Sequence, residues 1–287
     1  MKVKIGTRKS KLAIAQTEMV IGEIKRHIPN AQTEIVYITT SGDKILDKPL
    51  TEIGGKGIFV SEIENALLGG EIDIAVHSAK DLPISLADGL VISGVLKRGD
   101  YRDALITNRG TKIETQTVFT AGISSARRRV ELSKLFPNVI HADIRGNVDT
   151  RLNKLEAGQY DAIVLAMAGL KRLSLDTDER FDIIPFEYDS FLSAPCQGII
   201  AIETRENDSI VPVIKDITDK ETWFCYETER AVIKALNADC SVPLGAYSFI
   251  ENDRIKLYIS KNGQKTVFDG AAISDRLKLV KELIKCL

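Results

Sequence analysis

The first two-thirds of this chain alternate short, nearly continuous apolar runs with segments of helical period, and no other feature narrows its fold so far. Ile72–Val76, Ala162–Leu165 and Ile199–Ile202 carry almost no polar residue, as strands do when helices cover both faces of their sheet. Leu12, Ala15 and Met19, then Val20, Ile24 and Ile28, recur at helical spacing after a Ser10 cap. Phe59, Ile63 and Leu67 do the same after the loop Gly54–Gly57. Successive strand–helix units predict a largely parallel sheet.

From about residue 217 the rule changes. Ile255, Leu257 and Ile259 alternate with Arg254, Lys256 and Tyr258, and Asn262-Gly263 is a strong two-residue hairpin signal. An antiparallel sheet with one wet face is expected, between helices from about Lys220 to Leu236 and from about Ser274 to Lys285. Polar or Gly/Pro-bearing breaks fall at Lys97–Asp100, at Ser193–Pro195 and near Asp216–Asp219. They divide the chain into residues 1–96 with 196–216, residues 97–195, and residues 217–287. The expected fold class is α/β. Two periplasmic-binding-protein-like α/β domains with a hinge and cleft would carry a small C-terminal α+β domain.

The 287 residues suffice for two or three such units. A formal net charge of −1 argues against a general nucleic-acid binder, so the positive charge must work locally. Met1–Ser10 lacks the apolar stretch of a secretory signal, and no segment reads as a membrane span, so a cytoplasmic protein is expected. Cys196, Cys225, Cys240 and Cys286 include no C-x-x-C pair, and His27, His77 and His141 show no metal-ligand spacing. Free thiols in a reduced compartment and no metal site are the expectation.

Cations gather at strand-to-helix junctions. Ser124–Arg129 follows the run Val118–Ile123 and opens a helix whose capping serines and free N–H groups suit an anion. Arginine there opposes the helix dipole by about 0.3–1 kcal/mol each, which a bound anion would offset. The alternative is a solvated face formed by Arg127 to Arg129. After the strand Asn138–Ala142, Ile144–Arg151 places Arg145 in a Gly loop and Arg151 in the opening turns of the next helix. Thr7–Lys11 follows the first strand in the same way. All three junctions are expected to face one rim outside the carboxyl ends of the strands, with Lys56 adding a further cation. Neither G-x-x-x-x-G-K-[ST] nor G-x-G-x-x-G occurs.

Asp81 follows the strand Ile72–His77, where βα loops carry active residues. It either caps a turn before Pro83 or, ionised beside Lys80, stabilises a developing cation. His77, inside the apolar run, reads as a packed or hydrogen-bonded strand residue. Cys240 lies in the polar loop Ala238–Gly245, where a reactive thiol is plausible, and Cys196 near the hinge is its rival.

These motifs converge. Thr7-Arg8, Gly54–Phe59, Ala75–Pro83, Ser124–Arg128, Arg145–Val148, Thr150–Leu152, Ala168–Leu173, Gln197-Gly198, Glu229–Ala231 and Cys240–Gly245 together resemble the porphobilinogen deaminase (hydroxymethylbilane synthase) family over essentially the whole chain. The resemblance implies a dipyrromethane cofactor held by a thioether at Cys240. It implies head-to-tail condensation of four porphobilinogen molecules with loss of ammonia, then release of hydroxymethylbilane by water, in porphyrin and heme biosynthesis. Asp81 would be the catalytic residue, accepting hydrogen bonds from pyrrole N–H groups. Ser10, Lys80, Ser125, Arg127 and Arg128 would join Asp81 and Cys240 around the cofactor, and Arg8, Lys56, Arg145, Arg151 and Arg172 would bind substrate. Each pyrrole carries an acetate and a propionate, which accounts for so many cations.

The resemblance further implies a monomer whose partner is the small molecule porphobilinogen, with no membrane or nucleic acid. Three positions depart from the family pattern: Ala238-Asp239 stands where Gly-Gly is usual before the cysteine, Cys196 where Gly is usual, and Ile123 where Thr is frequent. A non-catalytic binding protein for a small polyanion would share the α/β architecture, yet it has no use for the C-terminal domain or Cys240.

Overall fold

The computed structural model describes residues 1–40, 60–239 and 242–283. The chain forms two units: Met1–Gly99 with Ile199–Phe224, and Asp100–Gly198 with Cys225–Leu287. It leaves the first unit inside the Lys97–Asp100 break.

In the first unit the apolar runs become β1 (Lys2–Thr7), β2 (Gln32–Tyr37), β3 (Ile74–Ser78), β4 (Leu90–Val95) and β10 (Ile200–Arg205). They form one sheet in the order β2-β1-β3-β10-β4. Helix α1 (Lys11–His27) and helix α6 (Val211–Asp216) cover one face, where Val20, Ile24, Ile210 and Ile214 pack on Val3, Ile5, Ile74 and Ile202. Helix α2 (Ser61–Leu68) covers the other, with Ile63 and Leu67 beside Ile72 and Ala75. Two-sided burial is what removes polar residues from β3 and β10.

The second unit repeats this plan. Strands β5 (Asp103–Asn108), β6 (Phe119–Gly122), β7 (Val139–Ala142), β8 (Ala162–Ala166) and β9 (Phe181–Pro185) assemble in the order β7-β6-β8-β5-β9. Helices α4 (Val148–Glu156) and α5 (Met167–Arg172) lie on one face and α3 (Ala126–Leu135) on the other. If each sheet's own strands are counted in order, both read second, first, third, visitor, fourth. The visitors are β10 and β5, and each pairs antiparallel with both neighbours. The expected parallel pairing therefore holds for β1 with β2 and β3, and for β6 with β7 and β8, but not for the visitors. β10 begins beside the end of β3, with Ile200 opposite Ser78, so the returning chain enters at the sheet's carboxyl end and must run backwards.

Helix α7 (Lys220–Ala235) crosses from the first unit into the second and leads to β11 (Leu244–Glu251), β12 (Arg254–Lys261) and β13 (Gln264–Ala272), an antiparallel meander backed by α8 (Arg276–Leu283). Asn262 and Gly263 make the expected turn with φ of +50° and +86°. Within the second unit this small sheet is bound to its larger neighbour. Ser260 donates to Glu131 at 2.5 Å, Ala246 N–H donates to the Ser193 carbonyl at 3.0 Å, and the rings of Tyr247 and Tyr101 stack at 3.8 Å.

The Glu229 carboxylate, fully buried on α7, accepts from the Cys196 N–H at 2.5 Å and from the Ser248 N–H and hydroxyl, each at 2.8 Å. Cys196 has φ of +61°, a left-handed conformation that costs a residue with a β-carbon about 1 kcal/mol. Cys196→Gly and Cys196→Ala lose the same thiol, so Gly should be the more stable by about 1 kcal/mol in urea unfolding. Equal midpoints would exclude the strain.

At the entrance to the second unit, Asp100 accepts from Arg102 Nε at 3.0 Å and Nη2 at 2.9 Å and pairs with Lys171 Nζ at 2.8 Å. Burial pushes the Asp100 carboxyl up, but the bonds from Arg102 and Lys171 outweigh it and hold the group down at about 2. A folded value below the free value of 3.8 gives stabilisation that is complete above that pH and is lost as pH falls through about 2. The gap in urea midpoint between the natural chain and Asp100→Asn should be constant near neutral pH and shrink below about pH 4. A gap unchanged near pH 2 would contradict this.

Candidate active site

Sheet order brings the sequence-predicted residues of the first unit together. β1 and β3 are parallel neighbours, so the segments leaving their carboxyl ends share one rim. Arg8 and Ser10 follow β1. Ser10 caps α1, its hydroxyl accepting from the Ala13 N–H at 3.3 Å. Lys80 and Asp81 follow β3 in a single 3-10 turn, Ala79–Asp81, anchored by the Ala79 N–H on the Ile199 carbonyl at 3.0 Å. Gln16 of α1 reaches across to Ser78, Nε2 to Oγ, at 2.8 Å and ties the two segments.

The Asp81 side chain is exposed and makes no hydrogen bond or ion pair with the described residues. It is thus not spent on capping the turn. His77 is buried as expected, with Nε2 2.8 Å from Oε2 of the fully buried Glu203 on β10. That pair closes the β3–β10 ladder one turn before Asp81, where it is far better suited to holding the strand than to exchanging protons with a substrate.

In the second unit β6, β7 and β8 are parallel neighbours, and again their carboxyl ends share a rim. Ser125 caps α3, accepting from the Arg128 N–H at 3.5 Å. Asn147 caps α4, accepting from the Thr150 N–H at 3.1 Å, and Arg151 Nε donates to the Gly146 carbonyl at 2.8 Å. Gly146 has φ of +113°, and a β-carbon there would stand 2.6 Å from Thr150 Cγ2, so the turn displaying Arg145 requires glycine. Arg172 ends α5, the helix after β8. Of the three basic junctions, those after β6 and β7 leave the second unit's sheet, and Thr7–Lys11 leaves β1 in the first unit's sheet.

The cations differ sharply in their surroundings. Arg127 and Arg128 are only 5% and 9% exposed, so the solvated face does not hold for them; Arg129 remains partly exposed and pairs with Asp143 at 2.6 Å. Asp103, at the start of β5, is fully buried between the first two. Its Oδ2 accepts from Arg127 Nη2 at 2.8 Å, and its Oδ1 accepts from Arg128 Nε at 3.1 Å and Nη2 at 2.8 Å. Gln197 Nε2 donates to the same Oδ1 at 3.1 Å. Burial pushes the Arg127 guanidinium down, Asp103 opposes the shift and Arg128 adds to it.

Sequence reasoning missed Asp103; its available signal was an acid opening an otherwise buried strand. Arg172 has a different setting. Burial pushes it down to about 10, and its Nη2 donates to the Gly198 carbonyl at 2.6 Å, with no acid beside it among the described residues. The half-buried Arg145 side chain likewise makes no ion pair there.

Of the thiols, Cys196 is fully buried and Cys225 is 6% exposed, which removes Cys196 as an accessible rival. Cys240 and Lys56 lie outside the described residues. On the first unit's rim the exposed carboxylate suits N–H donors, and in the second unit buried guanidiniums with unused N–H donors suit carboxylates.

Comparison with known proteins agrees with that chemistry. The model described as "Porphobilinogen deaminase, dipyromethane cofactor binding domain" matches residues 3–212, and "Porphobilinogen deaminase, C-terminal domain" matches residues 223–283. A porphobilinogen deaminase of Acetivibrio thermocellus is 46% identical over 267 residues, covering 92% of this chain and 90% of its own. One from Streptococcus sanguinis is 40% identical over 290 residues, covering 99% and 95%, and one from Alkaliphilus oremlandii is 42% identical over 257, covering 90% and 85%. Matched along nearly its whole length by both domain models and by these relatives, the chain belongs to the porphobilinogen deaminase family.

Proposed function

We propose that this chain, an enzyme of tetrapyrrole synthesis, condenses four porphobilinogen molecules head to tail on a dipyrromethane bound through Cys240 and releases hydroxymethylbilane. The observation that carries the reading is the Asp81 carboxylate: exposed, unengaged by the described residues, and set beside Lys80 on the rim that also carries Arg8 and Ser10. The donor set fits the cofactor. A dipyrromethane presents pyrrole N–H groups, which need an acceptor such as Asp81, and acetate and propionate groups, which need cations such as Arg127 and Arg128. The dipyrromethane, when bound, supplies the free pyrrole α-carbon on which the first new C–C bond forms.

In each coupling the C–N bond of a porphobilinogen aminomethyl group breaks, ammonia leaves, a C–C bond forms, and the attacked carbon gives up its proton. Asp81 accepts hydrogen bonds from ring N–H groups and stabilises the positive charge that grows on the ring as the amine departs. An acid so placed can also hand a proton to the leaving nitrogen and take one from the coupled carbon. Arg8, Lys56, Arg145, Arg151 and Arg172 bind the acetate and propionate groups of incoming substrate. Guanidinium suits this task because it meets a carboxylate through two parallel N–H bonds. Ser10 and Ser125 hold the openings of their helices and offer hydroxyls beside those cations. Burial of Cys196 and Cys225 leaves Cys240 and Cys286 as candidate thiols, and the family resemblance selects Cys240 as the attachment point.

Asp81→Asn should keep the urea midpoint and the covalent mass increment of two pyrrole units while turnover of porphobilinogen falls by at least about 100-fold. Intact mass and ammonia release measure the two halves. Near-normal turnover would remove Asp81 from the chemistry, and an unmodified mass in protein from porphobilinogen-producing cells would sink the whole reading.

A further inference from the structure

Three charged groups meet at the opening of α3. Arg127 and Arg128 contribute two positive charges, and Asp103, between them, contributes one negative charge. Glu131, one turn along the same helix, is already engaged by Lys134 at 3.1 Å and by the Ser260 hydroxyl. Glu131 is buried as well and its charge acts on Arg127, so the four buried charges balance; what the two guanidiniums still lack is a full set of acceptors, which an anion would supply. The geometry leaves room for one. A guanidinium has five N–H donors. Arg127 uses two bonds, to Asp103 and the Leu192 carbonyl, and Arg128 uses three, two to Asp103 and one to the Val164 carbonyl. Asp103 is itself fixed by Gln197, which is 1% exposed and also donates to the Tyr101 carbonyl at 2.8 Å.

We propose that Asp103 is a positioning residue: it locks Arg127 and Arg128 in one orientation and leaves both with unused N–H donors, so that together they receive one carboxylate of the dipyrromethane. This rests on the reading that the pair holds the cofactor. Long arginine side chains lose much rotamer freedom when they bind, and a permanent acid between them removes that freedom before the ligand arrives.

The test uses the full chain prepared without cofactor and loaded with porphobilinogen, with intact mass followed over time. Asp103→Asn keeps the shape and one acceptor but removes the charge. It should load at least tenfold more slowly, while the fraction that does load keeps its KM for porphobilinogen within twofold. A merely structural role would lower the unfolding midpoint and leave the loading rate of folded protein alone. Loading within twofold of the natural chain overturns the proposal.

Should Asp103→Asn fail to fold, Gln197→Met serves instead, because it removes the donor to Asp103 without changing charge. It should load about threefold more slowly, and an unchanged rate again overturns the proposal. The doubly substituted Arg127→Gln, Arg128→Gln chain separates the two levels. Normal loading there sinks the reading that the pair holds the cofactor, whereas slow loading there with normal loading in Asp103→Asn sinks only the role of Asp103.

Discussion

The antiparallel insertion of β10 between β3 and β4 is the constraint on which the first unit depends. Among the described strands, without it β4 has no neighbour and β3 keeps only its pairing with β1 at Ile74 and Ala75, which leaves Val76–Ser78 unpaired. β10 holds β3 from Ile200 opposite Ser78 to Glu203 opposite Ala75, and the His77–Glu203 contact spans that ladder in the buried interior. The Asp81 turn begins one residue later, its first N–H already taken by Ile199. The acid that the proposed reaction uses thus stands on a support built from both visits of the chain to this unit. Its exposed carboxylate is a property of the turn, while its position is a property of the strand pair behind it.

Electrostatics in the two units follow different logics. In the first, the acid is left without a described partner, so its charge is available to a developing cation. In the second, Arg127, Arg128 and Arg172 are desolvated and keep N–H donors without acceptors. Arg127 and Arg128 share Asp103, Arg172 has a carbonyl, and both arrangements favour a ligand that brings carboxylates of its own. Surface pairs such as Arg180 with Glu156 are fully matched and exposed, and contribute little of either kind.

Much of this was legible from residue order. Apolar runs without polar interruption marked β3, β8 and β10, two-residue alternation marked β12, and Asn262-Gly263 marked its turn, because each follows from local burial or local backbone geometry. Direction was not legible for β5 and β10. An apolar run states that both faces are covered, but not from which end its chain arrives. Ser10, Ser125 and the basic junctions could be read because capping is local. Asp103 could not, since its partners lie 24, 25 and 94 residues away in sequence and only the sheet brings them together.

The departure at Cys196 shows how the same folded surroundings tolerate a residue that local rules disfavour. A left-handed backbone favours glycine, the residue usual in the family at this point, yet here a thiol occupies it at φ of +61°. Its N–H is held by Glu229, and its neighbour Gln197 is held by Asp103 and the Tyr101 carbonyl. The conformation is therefore imposed from two sides by buried polar bonds, and removing the β-carbon would not change it. Those bonds also make one short segment common to two buried carboxylates, Glu229 beneath the C-terminal sheet and Asp103 beneath the arginine pair. A change of side chain at residue 196 alters local strain, whereas a shift of its backbone would disturb the C-terminal sheet and the arginines together, which is reason enough for the backbone to be held more firmly than the side chain is specified.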